Sequence, residues 1–375
     1  MTIVFLSNFF NHHQAYLSNR LYELTDGNYR FVATEAVPEE RKKLGYSEWA
    51  ENYVIQYGTD AAQDAQVQKL IDSADVVIVG SAPEALLKNR KKQKKRIVRY
   101  SERPLKKGFQ WWKYPLRLLK WHYENPCNVP IYMLCASAYT ASDYAKFGLF
   151  RNRTLRWGYF PECKKYDDIN GLMNGKQTNE ILWCGRLIDW KHPDDVLLAA
   201  EQLKAEGCDF RIRIIGTGEM EQQLKETADR KQLLDVVDFL GSMPPERVRA
   251  HMEQAGIYLF TSDRREGWGA VLNEAMNSGC AVVASSDAGS TPYLVKDGVN
   301  GTVYTACHVR ELCEKIKYLL DDPVRQKQMG MAAYETIAQE WNPEVAAERL
   351  LTVLDQILNG DTSLSHFSEG PCSRT

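Results

Sequence analysis

Alternating short strands and helices, repeated over two halves of similar length, predict an α/β protein: two Rossmann-like domains facing across a cleft. Two observations carry this. Apolar runs such as Asp75–Val79 and Ala281–Ala284 read as fully buried strands, the kind parallel sheets use. Strands of the second half end on glycine, at Gly185, Gly216 and Gly241, where a chain turns from strand to helix. A length of 375 residues is comfortable for two cores.

In the first half, strands are expected at Ile3–Leu6, Tyr29–Thr34, Asp75–Val79, Ile97–Tyr100, Ile131–Ala136 and Thr154–Trp157. Helices are expected at Gln14–Leu24, Asp60–Ser73, Glu84–Lys95, Leu105–His122 and Ser137–Phe147. The polar segment Pro161–Thr178 reads as the connection between domains. In the second half the strands are Glu180–Cys184, Phe210–Ile215, Val236–Leu240, Ile257–Phe260, Ala281–Ala284 and Thr302–Tyr304. The helices are Pro193–Glu206, Met220–Lys231, Pro245–Gln254, Ala270–Met276, Val309–Leu320 and Pro323–Glu340. A last helix starts at Pro343, with proline in its first turn, and ends before Gly360. The domains are therefore set at 1–163 and 164–341, followed by a helix at 342–360 and a disordered tail at 361–375.

Composition excludes several classes. No apolar run is long enough to span a bilayer. The start, MTIVFLSNFF, lacks a basic leader and reads as a first strand. Nine scattered cysteines with no CxxC pair point to reduced cytosolic thiols, and no His/Cys/Asp set has metal-ligand spacing. Net charge is −2 but uneven: Lys88 to Lys120 holds fourteen Lys/Arg and one acid, Glu102. Phe109, Trp111, Trp112, Tyr114, Trp121 and Tyr123 lie in or just after this block. Such a block fits an anionic membrane surface, nucleic acid, or a solvated loop over packed tryptophans; the membrane is favoured and nucleic acid is not expected.

Four segments carry chemistry. Gly185-Arg186 with Lys191 puts a planar cation and a point charge after a strand, suited to a diphosphate. Gly216-Thr217-Gly218 is a strand-to-helix turn whose amides can meet an anion, though an ordinary turn explains it as well. Asp287–Pro292 is a small-residue loop that lets amides approach phosphate. The run from Glu266 through Gly267, Trp268 and Gly269 to Glu274 places one carboxylate in a strand-end loop and one on the next helix. In a parallel sheet that is where ligands bind.

Gly185-Arg186 with Lys191, Gly216-Thr217-Gly218 and Glu266 to Glu274, with Leu240-Gly241 and Asp297–Gly301, resemble in order and spacing the retaining family-4 glycosyltransferases of GT-B fold, of the bacterial capsular and exopolysaccharide type. The resemblance is strong over residues 180–305. It implies a nucleotide-sugar donor, probed by Arg186 and Lys191 at the diphosphate, Glu274 at the ribose, Glu266 at the sugar, and Gly241-Ser242-Met243 at the base. It also implies a last helix that crosses back to the first domain. The acceptor, a glycan or a lipid-linked sugar, falls to the first domain, where Asn11, His12, His13 and Glu102 are the candidates. Pro292-Tyr293 stands where such proteins usually show proline–glutamate. Front-face transfer is the favoured route to retention, with Arg186 and Lys191 carrying the positive charge and no metal or other cofactor. The rival readings are an epimerase or phosphorylase on the same fold, and a non-catalytic nucleotide-sugar-binding subunit. The expected location is the cytoplasm, peripheral on the inner face of the cell membrane.

Overall fold

A computed structural model describes residues 1–38, 51–361, 364 and 367–375. They form two compact units: Met1–Glu162 with Asn342–Thr375, and Cys163–Trp341. Among the described residues no helix is long and apolar enough to cross a membrane.

The first unit runs β1 (Ile3–Ser7), α1 (His12–Leu24), β2 (Tyr29–Ala33), β3 (Val54–Gln56), α2 (Ala61–Ser73), β4 (Val76–Val79), α3 (Lys88–Lys92), β5 (Ile97–Ser101), α4 (Tyr114–Glu124), β6 (Ile131–Cys135), α5 (Thr140–Ala145) and β7 (Thr154–Arg156). All strands pair in parallel, in the order β3-β2-β1-β4-β5-β6-β7. The order reverses between β1 and β4, so a crevice opens beyond their carboxyl ends. β1 and β4 are buried at every position, as the apolar runs required.

The second unit runs α6 (Ile169–Gly175), β8 (Gln177–Cys184), α7 (Pro193–Ala205), β9 (Arg211–Ile215), α8 (Glu221–Arg230), β10 (Val237–Gly241), α9 (Pro245–Gln254), β11 (Ala255–Phe260), α10 (Ala270–Asn277), β12 (Ala281–Ser285), α11 (Thr291–Leu294), β13 (Gly301–Tyr304), α12 (Val309–Leu320) and α13 (Pro323–Gln339). Its parallel order is β10-β9-β8-β11-β12-β13, with the reversal between β8 and β11. The two-sheet α/β expectation holds.

The last helix, α14 (Pro343–Leu358), does return to the first unit. Ala346, Leu350, Val353 and Ile357, one helical stripe, are buried. Arg20 of α1 meets Glu348 at 3.2 Å, and Arg96 donates to the carbonyls of Ile357 and Leu358 at 3.0 and 2.8 Å.

Four expectations need correction. The connection Pro161–Thr178 contains α6, because Asp168 caps Gly171 N at 2.7 Å and offsets two helix glycines. The expected helix Leu105–His122 begins only at Tyr114, with Pro115 in its first turn and Gly108 turning the chain ahead of it at φ +80°. The helix expected over Glu84–Lys95 shortens to α3 behind one 3₁₀ turn. The tail expected to be disordered lies partly outside the described residues. Where described it packs on the first unit: Cys372 and Ser373 are buried, and Arg156 N donates to Ser373 O at 2.7 Å.

Candidate functional site

The loops after β8 and β11, the two strands at the reversal of the second sheet, lie side by side. Trp183 on β8 donates its indole N–H to Thr261 Oγ1 at 2.9 Å, and that hydroxyl donates to the Lys191 carbonyl at 2.5 Å. Asp263 N donates to Trp190 O at 2.9 Å. The register so fixed brings together Lys191 and Glu266, 75 residues apart in sequence. Lys191 Nζ lies 2.6 Å from Glu266 Oε2, with the two side chains 14% and 16% exposed. Ser262 Oγ donates to the same oxygen at 3.2 Å.

Glu274 is the fifth residue of α10 and half-buried. Its place is marked by its electrostatic neighbours. Burial pushes the Cys184 thiol, at the end of β8, up to about 12; the Glu274 carboxylate pushes the same way and the Lys191 ammonium opposes. Lys191, Glu266 and Glu274 therefore gather at the carboxyl end of β8. Arg186 stands at the rim, exposed, with its guanidinium 5.5 Å from the Trp190 ring centre. Arg265 flanks the same ring at 5.7 Å and is bound to Asp263 and Asp189.

The glycines have structural reasons. A Cβ on Gly216, at φ +135°, would sit 1.8 Å from the Gly185 carbonyl oxygen, and one on Gly218 would sit 2.3 Å from that of Leu187. The turn must be bare so that the Gly185–Leu187 loop can lie on it. The Gly216 amide is already bonded to Gly241 O at 2.8 Å. Gly241, at φ +69°, ends β10, and Ser242 and Met243 follow in an open loop. Gly267 is buried, and Gly269 holds φ +86° at the start of α10. The Asp287–Pro292 loop braces the glutamate loop: Gly289 N donates to Glu266 O at 3.2 Å and Ser290 Oγ to Trp268 O at 2.6 Å.

Trp268 corrects an expectation. Its indole is fully buried, bonded to Asn273 Oδ1 at 2.8 Å and packed near Trp341, so the ring is core rather than ligand surface. Tyr293, the departure from the usual glutamate, stacks on Trp341 at 5.7 Å.

Sequence reasoning missed a neighbouring cluster. His192, Asp195 and Cys307 each bring one donor atom within 4.8 Å of the others, although nothing in their spacing signalled it. His192 holds φ +47° just before α7, and Asp263 Oδ2 lies 3.3 Å from its Nε2. Burial works against ionised Asp263, but hydrogen bonds from Arg265 and His192 outweigh it and hold the carboxyl below its ordinary value. Burial raises Asp195. By residue type the trio suits a divalent transition metal.

In the first unit, Asn11 caps α1, its Oδ1 accepting from His13 N at 2.9 Å. His12 and His13 pack ring to ring at 3.9 Å, and burial lowers His12. Glu102 is bonded to Lys106 and to the Tyr159 hydroxyl. Near it, a polar cavity of about 110 Å³ opens beyond β4 and β5, lined by Gly80, Arg99, Tyr100, Ser101, Asn125 and Tyr144.

Known proteins resemble this chain in the sequence of its second half and in its fold. The sequence model for glycosyl transferases group 1 matches residues 167–336. AmsK, an amylovoran biosynthesis glycosyltransferase of Erwinia amylovora, is 28% identical over 186 residues, 48% of this chain and 46% of AmsK. A GDP-mannose-dependent monoacylated alpha-(1-6)-phosphatidylinositol monomannoside mannosyltransferase of Corynebacterium glutamicum is 29% identical over 184 residues, 47% of each chain. The match spans about half the length of these curated relatives. The crystal structure of Anabaena HepE in complex with UDP superposes with a TM-score of 0.68 at 18% identity, over 97% of this chain and 100% of HepE. That likeness shows the GT-B fold. Over residues 167–336 the chain is similar to the glycosyl transferases of group 1.

Proposed function

We propose that the chain is a retaining glycosyltransferase that moves a sugar from a nucleotide-sugar to a glycan or lipid-linked acceptor in capsule or exopolysaccharide biosynthesis. The observation that carries this is the ion pair of Lys191 and Glu266 at the strand reversal, with Glu274 at the same strand end. A cation there can neutralise a leaving diphosphate, and a carboxylate beside it can hold sugar hydroxyls. Arg186, at the rim, adds a planar fork for phosphate oxygens. In front-face transfer the bond from the anomeric carbon to the phosphate oxygen breaks. The acceptor oxygen bonds to the same face, and its proton passes to the departing phosphate. Lys191 and Arg186 stabilise the charge that builds on that phosphate, and no metal or other cofactor takes part.

We take the donor as UDP-linked. A GDP-linked donor is the second reading, because the relative at 29% identity is named as GDP-mannose-dependent. Similarity to AmsK, named for amylovoran biosynthesis, supports the reading of polysaccharide assembly. The protein would work in the cytoplasm, peripheral on the inner face of the cell membrane, without nucleic acid. The test is incubation with UDP- and GDP-linked sugars, with and without a lipid-linked acceptor, reading nucleoside diphosphate release and the anomer formed. Acceptor-dependent release with retained configuration is expected. No release from any donor, or inversion, would overturn the reading.

A further inference from the structure

The basic block of the first unit is not one solvated patch. Arg90 is fully buried and donates to the carbonyls of Ile71, Ala74, Asp75 and Arg96 at 2.7 to 2.9 Å. Lys91 meets Glu84 at 2.5 Å, Arg103 meets Asp143 at 3.4 Å, and Arg96 binds the end of α14. Lys95 Nζ donates to Asp72 O at 2.5 Å. These cations hold the fold together and do not form a surface for lipid.

α4 is different. Its inward side carries Tyr114, Leu118 and Trp121, packed on the core; Tyr114 stacks on Phe147 at 5.0 Å and Trp121 meets the same ring at 4.5 Å. Its other side is also apolar. Leu116 is 72% exposed, Leu119 71% and Tyr123 81%. Positions 116, 119 and 123 follow the spacing of one helical stripe. Trp111 and Trp112, 75% and 58% exposed in the 3₁₀ turn just before the helix, and Phe109, 48%, extend the apolar surface. Exposed Lys107, Lys113 and Lys120 lie among these residues. A helix with a second apolar stripe turned to water, bordered by lysines and rich in Trp and Tyr, has the chemistry of the bilayer interface.

We infer that the outward face of α4 and the turn before it insert into an anionic lipid bilayer, held mainly by apolar side chains and only secondarily by charge. The partner is the bilayer, because the stripe offers insertable side chains and the lysines at its edge complement anionic head groups. This deepens the membrane-peripheral reading above, but vesicle binding is read without turnover, so either can fail alone.

The experiment is co-sedimentation of the full chain with vesicles of phosphatidylcholine and phosphatidylglycerol. The Debye length falls from about 10 Å at 0.1 M to about 3 Å at 1 M salt, so charge-held binding collapses across that range and inserted binding persists. We expect binding at both, with quenching of tryptophan fluorescence by brominated acyl chains. A Trp112→Ser, Leu116→Ser, Leu119→Ser variant should lose on the order of 100-fold in partitioning. Lys88→Gln, Lys92→Gln, Lys94→Gln should change it less than about threefold. The serine substitutions replace exposed side chains, so an unchanged melting curve serves as the folding control. The inference is overturned if the serine variant binds like wild type, if binding vanishes in high salt, or if the chain instead self-associates through this face in lipid-free buffer without sedimenting with vesicles.

Discussion

Replacing Lys191 by methionine separates two roles of one ammonium group. Its Nζ lies 2.6 Å from Glu266 Oε2, and the side chains are only 14% and 16% exposed. Without it, a mostly buried carboxylate keeps the Ser262 hydroxyl at 3.2 Å among its donors but loses the Lys191 ammonium. Breaking a fully buried pair costs roughly 3–5 kcal/mol, so the residual exposure here points to about 3 kcal/mol. Glu266→Gln in the same chain removes the carboxylate charge. The double variant should therefore recover about 1–3 kcal/mol relative to additivity, measured by urea denaturation. Turnover should behave otherwise. If the ammonium also neutralises a leaving diphosphate, Lys191→Met should lose about 10²-fold in nucleoside diphosphate release, and adding Glu266→Gln should restore none of it. A folded Lys191→Met protein with near-normal turnover would refute the phosphate role. Coupling in stability alone would leave the pair a purely structural one.

Three further outcomes are expected. Glu274→Ala should weaken donor binding by at least about tenfold in calorimetry, since hydrogen bonds to a charged group contribute about 1.5–3 kcal/mol each; unchanged affinity would remove Glu274 from the site. Gly216→Ala would drive a Cβ to within 1.8 Å of the Gly185 carbonyl at φ +135°, so donor binding and the urea midpoint should both fall, and a wild-type midpoint would contradict the packing described. Stability should decline as pH falls below about 6.5, because the unfolded chain takes up protons that folded His12 and His251 resist. Burial lowers both groups, and Arg213 and Arg247 lower His251 further. Their stabilising share is thus present above the unfolded value and lost on acidification. His12→Gln with His251→Gln should flatten the slope of denaturation midpoint against pH, and an unaltered slope would rule this origin out.

The parts of this protein that could be read from its residues are those where one physical signal decides. Ala281–Ala284 is apolar throughout, and only a buried strand suits it. Gly185, Gly216 and Gly241 marked strand ends because the backbone there turns or is approached too closely for a side chain. Lys191 and Glu266 were named separately, but no spacing rule joins residues of two loops; the sheet order does that. Trp268 was misplaced because a tryptophan between glycines looks the same in sequence whether its ring faces ligand or core. Arg90 shows the same limit for charge: a buried arginine serving four carbonyls counts equally with a solvated one. The His192, Asp195 and Cys307 cluster depends on a histidine held at positive φ, which no periodicity reveals.

The return of α14 to the first unit has a consequence for biosynthesis. Ribosomes release this chain from its amino end, at about 5–20 residues per second. Residues 163–341 emerge complete while the first unit still waits for α14. Until then the surface that Leu350, Val353 and Ile357 will cover is open to water and to other nascent chains. The second unit can fold on emergence, whereas the first is a late closer whose final step brings α14 back to strands made long before it. Stalled or truncated products that stop before Pro343 should therefore be the species that chaperones retain, even though both sheets have been made by then.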